Sequence, residues 1–290
     1  MVLKAERLVA CGNRVGESPV WDAANERLLW LDIPKGQVQA LTGGQVRSWD
    51  RPTMIGSIAL ADGGGLIAGT QEGFVALRLA GDDLVEREVA AVLAGQAGMR
   101  MNDGACDRQG RFWSGSMALQ AVAGEAVGRL YRLGGLVAEP MVDGFVVQNG
   151  LAWSLDGRTM YVSDSHGSVQ TVWAFDYDTE RGVPSNRRVF ATGALLGGRP
   201  DGAAVDSDGC YWIAASDGGK VVRLTPRGEI DAEVVVPTSN PTNLCFGGAD
   251  LRTMFVTSLR AGDTPDSEAG NVFAVETPWQ GVGETPFRAG

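Results

Sequence analysis

Residues 199–215 read Arg-Pro-Asp-Gly-Ala-Ala-Val-Asp-Ser-Asp-Gly-Cys-Tyr-Trp-Ile-Ala-Ala. The first apolar run in this stretch begins with Asp-Gly, and an Asp-Ser-Asp-Gly turn separates it from a second apolar run. Two short apolar runs joined by such a turn are typical of a β-hairpin. The stretch therefore predicts a hairpin whose first strand starts with the carboxylate of Asp201.

The same pattern recurs five more times along the chain. The other repeats begin at Glu17, Gly56, Asn102, Asn149 and Asn243. The spacing of roughly 40 to 50 residues is the period of a propeller blade and is too long for a leucine-rich repeat. Most units continue with two further strand-like runs, which brings each to about four strands. We therefore expect an all-β, six-bladed β-propeller with four-stranded antiparallel blades, forming a single domain over residues 1–290.

The two ends of the chain carry the signal for closing the ring. Residues 5–10 form a strand-like run that has no partner in the first unit, and the last unit lacks a good fourth strand after residues 271–275. Closure removes exposed sheet edges, which otherwise invite aggregation. We therefore expect the N-terminal strand to be the outer strand of the last blade.

Composition limits the classes of function. The 290 residues carry a net charge of −10 without any run of Lys or Arg, so a nucleic-acid partner is disfavoured. No apolar run of about 18 residues could span a bilayer, and the N-terminus lacks an apolar signal segment. The four cysteines form no C-x-x-C pair, which favours a structural role for them. We expect a cytoplasmic monomer or weak homodimer that acts on a small molecule.

The first strand of every propeller blade lines the central channel, so the residues that start these strands converge on one axis. Five of the six starting residues offer an oxygen atom: Glu17, Asn102, Asn149, Asp201 and Asn243. Asn and Asp before Gly are also ordinary turn residues, and each position taken alone is explained in that way. The set is harder to explain by turns, because Glu17 is not a turn residue and a buried polar ring needs a partner.

Oxygen donors of this kind suit a hard divalent cation. Glu17, Asn149 and Asp201 are accordingly the predicted ligands of one divalent metal ion, with Ca²⁺, Mg²⁺, Mn²⁺, Zn²⁺ and Fe²⁺ as the candidates. A Ser-His-Asp triad is disfavoured, because the only histidine, His166, has no G-x-S-x-G setting beside it. We expect His166 to lie at the rim of the site, in contact with substrate.

Five motifs, in order along nearly the whole chain, resemble those of the senescence marker protein/gluconolactonase family, which includes regucalcin and bacterial sugar lactonases. They are Gly16-Glu17-Ser18-Pro19-Val20-Trp21, Arg100-Met101-Asn102-Asp103-Gly104, Asn149-Gly150-Leu151-Ala152-Trp153-Ser154, Phe175-Asp176-Tyr177-Asp178 and Pro200-Asp201-Gly202. The resemblance implies a six-bladed propeller with one divalent metal on its axis. It also implies hydrolysis of sugar lactones to aldonic acids.

Carried over by position, the family's metal ligands fall on Glu17, Asn149 and Asp201. Arg100 and Asn102 match residues that hold the substrate's oxygens. The chain departs from the regucalcin-like pattern at Gln120, where those members have a glutamate after Gly-Thr-Met-Ala, so the sugar contact there is changed.

The expected chemistry is hydrolysis of a cyclic ester. A metal ion can polarise the lactone carbonyl and lower the pKa of bound water. Asp201 is the expected general base, with direct nucleophilic attack as the alternative, and Arg100 orients the ring oxygens. Two other functions stay open: a calcium-binding regulatory propeller without hydrolase activity, and a hydrolase of aryl esters or organophosphates.

Overall fold

The computed structural model describes residues 1–262 and 266–289 of the chain. These residues form six sheets, antiparallel except for one added edge strand, arranged as a six-bladed β-propeller, which confirms the predicted fold. The chain opens with two short strands, β1 (Val2–Lys4) and β2 (Glu6–Val9), which join the sheets of the last two blades.

Each blade begins at the axis and proceeds outward. Blade 1 contains β3 (Gly16–Asp22), β4 (Arg27–Asp32), β5 (Gln37–Thr42) and β6 (Gln45–Asp50). Blade 2 contains β7 (Ile55–Leu60), β8 (Leu66–Thr70), β9 (Phe74–Ala80) and β10 (Asp83–Ala90). Blade 3 contains β11 (Met99–Cys106), β12 (Phe112–Ala118), β13 (Gly128–Gly134) and β14 (Val137–Phe145).

The remaining blades follow the same plan. Blade 4 contains β15 (Gln148–Trp153), β16 (Thr159–Asp164), β17 (Thr171–Asp178) and β18 (Val183–Thr192). A short helix, α1 (Gly193–Leu196), leads to blade 5, with β19 (Arg199–Val205), β20 (Tyr211–Ser216), β21 (Lys220–Leu224) and β22 (Ile230–Val235). Blade 6 contains β23 (Pro241–Gly247), β24 (Thr253–Ser258) and β25 (Val272–Glu276).

The N-terminal segment closes the ring. Strand β2 pairs antiparallel with β25, with Glu6 opposite Ala274 and Arg7 opposite Phe273, as the sequence predicts. The structure adds a feature that the sequence does not indicate: β1 lies parallel to β22 and becomes a fifth strand of blade 5. Ala5, between the two strands, is buried among residues of blades 5 and 6. One segment thus ties two blades together.

The hydrophobic core is divided among the contacts between neighbouring blades. In the described part of the chain, six apolar clusters each join residues of two adjacent blades. Trp30, Trp113 and Trp212 are completely buried in second strands and donate their indole N–H groups to Asn13, Asp107 and Asp206. These repeated contacts hold the inner strands, and hence the channel, in register.

The C-terminal tail runs across one end of the channel. The Gly281 N–H donates to the Leu251 carbonyl at 2.7 Å, and the Phe287 N–H donates to the Leu60 carbonyl at 2.7 Å. Phe287 is buried between blades 2 and 3. Residues 282–285 and the inner strands of all six blades enclose a cavity of about 80 Å³. The tail that the sequence shows only as a poor fourth strand is therefore a strap over the channel.

All four cysteines are free thiols, and Cys210 and Cys245 are buried. Across residues 1–262 and 266–289, no helix combines the length and the apolar character needed to cross a membrane.

Candidate metal and substrate site

The site is made by irregularities at the same point of the inner strands. The pairing of β3, β11, β15 and β19 with their second strands skips two residues, after Glu17, Met101, Asn149 and Pro200 respectively. In β7 and β23 the skip is one residue. Bulges next to active sites turn side chains away from the regular alternation of a strand. Here they place polar side chains of several blades in one region of the channel.

Glu17 is held from two sides. Its Oε2 accepts a hydrogen bond from the backbone N–H of Ser18 at 2.8 Å and another from Asn243 Nδ2 at 2.9 Å. The same Nδ2 lies 3.3 Å from Oδ1 of Asp103, whose Oδ2 accepts the Leu151 N–H at 3.0 Å. Glu17, Asp103 and Asn243 are each only 6% exposed. Blades 1, 3 and 6 are thus joined by polar contacts at the axis.

Asn149 links blade 4 to blade 5. Its Nδ2 donates to the Ser165 hydroxyl at 2.7 Å, and that hydroxyl donates to the carbonyl of Pro200 at 2.6 Å, next to Asp201. The Oδ1 of Asn149 is buried and has no hydrogen-bond partner among the described residues. Burying a carbonyl oxygen without a hydrogen-bond partner destabilises the folded state, so we expect this atom to bind a ligand.

Burial raises the pKa of all three carboxyl groups of the site, and neighbouring acids add to the shift in Glu17 and Asp201. Burial raises the pKa of Glu17 to about 7, and the charge of Asp103 adds to the effect. Burial raises the pKa of Asp103 to about 6. Burial and the charge of Glu17 raise the pKa of Asp201 well above its usual range, although Arg199 acts in the opposite direction. Three buried acids therefore share this region.

The charge of Arg100 interacts with the carboxylates of Glu17 and Asp201. Burial lowers the pKa of Arg100 to about 10, and the carboxylates of Glu17 and Asp201 oppose that shift. Its Nη1 donates to Asn102 Oδ1 at 2.7 Å and to the Met101 carbonyl at 2.9 Å. Asn102 Nδ2 donates to the Gln148 carbonyl at 2.7 Å. Asn102 thus holds the guanidinium of Arg100 in place.

The donors present fit a hard divalent cation. Glu17 and Asp201 supply carboxylate oxygens, and the unpartnered Oδ1 of Asn149 supplies a neutral one. Oxygen sets of this kind are preferred by Ca²⁺, Mg²⁺ and Mn²⁺ over softer ions. No group of three or more His, Cys, Asp or Glu side chains in the described ranges is arranged to hold a metal. The candidate set therefore depends on the Asn149 amide as its third member.

Gln120 and His166 lie outside this cluster. Gln120 is exposed, two residues after β12. His166 is half-buried, two residues after β16, and its Nδ1 lies 2.8 Å from the Ser168 hydroxyl. Within the described residues, neither side chain hydrogen-bonds to Glu17, Asn149 or Asp201. Their part in substrate binding stays a prediction.

Three residues outside the predicted metal-ligand and substrate-binding sets also belong to the site. Asp103 adds a third buried acid, Asn243 bridges two acids, and Ser165 orients Asn149. Asp103 had a usable signal, since Asp103-Gly104 repeats the Asp201-Gly202 pair two blades earlier in the chain. Ser165 had a weaker signal: it follows the second strand of blade 4, and the ends of second strands lie beside the starts of first strands.

Comparison with known proteins identifies related chains. The family model described as the SMP-30/Gluconolactonase/LRE-like region matches residues 15–260. The chain is 38% identical over 281 residues to the 6-deoxy-6-sulfogluconolactonase of Pseudomonas putida, with 94% of each chain covered. It is 36% identical over 286 residues to the regucalcin of Oryctolagus cuniculus, again with 94% of each covered.

Solved structures share the fold over nearly the full length. A luciferin-regenerating enzyme superposes with a TM-score of 0.90 at 25% identity, covering 98% of this chain and 99% of that one. The regucalcin of Agrobacterium tumefaciens, described as a calcium-binding protein, superposes with a TM-score of 0.92 at 24% identity, covering 99% of both.

Proposed function

The chain belongs to the SMP-30/gluconolactonase/LRE-like family, and we propose that it is a sugar lactonase that uses one divalent cation to hydrolyse an aldonolactone to the aldonic acid. The relative from Pseudomonas putida, named as a sulfogluconolactonase, supports the substrate class. The single observation that supports the cation is the buried Asn149 Oδ1 without a hydrogen-bond partner among the described residues. The other two proposed ligands, Glu17 and Asp201, are buried acids of raised pKa.

Glu17, Asn149 and Asp201 would hold the cation. When bound, a divalent cation supplies Lewis-acid polarisation of a carbonyl and lowers the pKa of water. Its charge also keeps the neighbouring carboxyl groups ionised, because an opposite charge favours the charged form of an acid. Asp201 would then be available as a base at neutral pH.

The protein groups have separate roles in the hydrolysis. Asp201 takes a proton from water as the water oxygen bonds to the lactone carbonyl carbon. The bond between that carbon and the ring oxygen then breaks, and the proton passes to the departing alkoxide, so one lactone and one water give one hydroxy acid. Arg100, held by Asn102, orients the substrate oxygens through its planar donors. Gln120 and His166 would contact the sugar from the rim.

The second candidate function is calcium binding without hydrolysis, which one solved structure of the same fold supports. The regucalcin of Agrobacterium tumefaciens is described as calcium-binding. A propeller that binds the cation without hydrolysing any ester would use the same three ligands.

Acid release in a pH-stat separates these functions. The substrates are aldonolactones of five and six carbons, a 6-sulfonated gluconolactone and aryl esters, each tested with chelator-treated and cation-loaded protein. A lactonase releases acid from at least one aldonolactone only when loaded. Binding of the cation with no hydrolysis would favour the regulatory function, and hydrolysis of aryl esters alone would exclude the sugar lactonase.

A further inference from the structure

Asn243 contacts acids from two other blades with a single amide nitrogen. Its Nδ2 lies 2.9 Å from Glu17 Oε2 and 3.3 Å from Asp103 Oδ1. A primary amide nitrogen carries two N–H donors, so both acids can be served at once. Among the described residues, the Asn243 side chain links Glu17 to Asp103 through hydrogen bonds.

The amide of Asn243 is itself fixed in place. Its Oδ1 accepts the backbone N–H of Leu244 at 2.8 Å, which leaves Nδ2 directed to the acids. The amide also packs against Gly202 of blade 5, where an added Cβ would lie 2.0 Å from Asn243 Cγ. Only glycine at position 202 leaves room for this arrangement.

The two carboxylate oxygens of Glu17 differ in their hydrogen-bond partners. Oε2 accepts from both Asn243 and the Ser18 N–H. No described residue donates to Oε1, which is therefore the oxygen left for a cation. Asp103 is engaged by Asn243 and by the Leu151 N–H.

We propose that Asn243 is a positioning residue for the cation: by binding Glu17 Oε2 and Asp103 Oδ1 it orients the Glu17 ligand and holds Asp103 out of the ligand set. The inference rests on the proposed function, since it presumes that Glu17 is a ligand. Outer residues that orient metal ligands typically contribute 10- to 100-fold to metal affinity.

The test is calorimetric titration of chelator-treated protein with Mn²⁺. Asn243→Leu keeps the branched shape and removes both donors, and Asn243→Ala removes the donors without adding apolar bulk if the leucine variant fails to fold. We expect the Kd for Mn²⁺ to rise by about 10- to 100-fold in either variant. We also expect lactone turnover to recover when the Mn²⁺ concentration exceeds the new Kd.

Asn271→Leu is the matched control. Asn271 is similarly buried, just before the third strand of blade 6, but its Oδ1 accepts the Gly12 N–H and its Nδ2 lies 3.5 Å from Glu268 Oε2, with no hydrogen bond to Glu17 or Asp103 among the described residues. It should lower the melting temperature and leave the Kd within twofold of wild type. If Asn243 variants bind Mn²⁺ as wild type does, or if Asn271→Leu weakens binding equally, the positioning role is wrong while the lactonase proposal stands. If wild type binds no Mn²⁺, Ca²⁺ or Mg²⁺, both proposals fail.

Discussion

The Nδ2 of Asn149 donates to the Ser165 hydroxyl at 2.7 Å, and this bond decides which atom of the amide is left without a partner. The Ser165 hydroxyl has one proton, which it donates to the Pro200 carbonyl. Towards Asn149 the hydroxyl can therefore only accept a hydrogen bond, and the amide can donate one only through its nitrogen. The oxygen of Asn149 is therefore kept available as a ligand. The amide would lose this orientation without the hydroxyl.

Ser165→Ala is expected to weaken divalent cation binding by about tenfold, since it frees the Asn149 amide to rotate. Calorimetric titration with Mn²⁺ measures the change. Ser258→Ala is the control, because Ser258 is equally buried and donates to the Asn271 carbonyl instead. Equal affinities in both variants would show that Ser165 does not orient the ligand.

Asp201→Asn is expected to lower kcat by about 10²- to 10⁴-fold, the usual contribution of a general base. The metal-free variant should be at least as stable as wild type at pH 8, because the substitution removes a buried acid whose pKa is raised by burial and by Glu17. Steady-state kinetics and thermal unfolding measure the two effects. A variant that keeps more than a tenth of wild-type kcat would contradict the role of base.

The metal-free protein is expected to lose stability as the pH rises. Glu17 has a pKa of about 7 in the folded chain against an ordinary value of 4.5, so the folded state keeps this proton longer than the unfolded state does. Asp103 acts in the same direction, with a pKa of about 6 against 3.8. Their contribution is complete below the ordinary values and is lost as the pH approaches about 7.

Melting temperatures in chelator between pH 5 and pH 8 check this direction. We expect a fall of roughly 5 °C that Glu17→Gln reduces, and we expect cation at 100 times its Kd to restore about 2.7 kcal/mol at pH 8. A metal-free protein whose stability is unchanged or rises over this range would show that the acids are not buried together.

Ring closure predicts different effects for two deletions at the N-terminus. Removing residues 1–10 takes away β2, exposes the edge of β25 and should lower the melting temperature by roughly 10 °C or more. Removing residues 1–4 takes away only β1, which lies on the outer edge of blade 5, and should have a smaller effect. Thermal unfolding of both shortened chains measures the difference, and equal melting temperatures for the full chain and the 1–10 deletion would refute closure by β2.

The sequence predicts the blades well because each hairpin is a local pattern. Asp201-Gly202, followed by an apolar run and a turn, reports on neighbours within one sheet, and the unpaired run at residues 5–10 reveals the closing strand. The pairing of β1 with β22 escapes prediction, because three residues are too few to show a pattern. The strap escapes for another reason: its hydrogen bonds join Phe287 to Leu60, far apart in the chain.

For the candidate site, the sequence proposes ligands without showing their contacts. Repeat positions nominate Glu17, Asn149 and Asp201, but the two-residue skips in the strands that carry them leave no mark on the alternation of apolar residues. Asp103 is turned into the channel by such a skip, so a regular strand would not place it beside Asn243. Contacts between blades therefore require the structure.

The central claim is that side chains from three blades share one cation, and anomalous diffraction from crystals soaked in Mn²⁺ tests it most directly. We expect one strong peak within bonding distance of Glu17, Asn149 Oδ1 and Asp201. A soaked crystal with no peak on the axis, or with its strongest peak bound by other residues, would contradict the account.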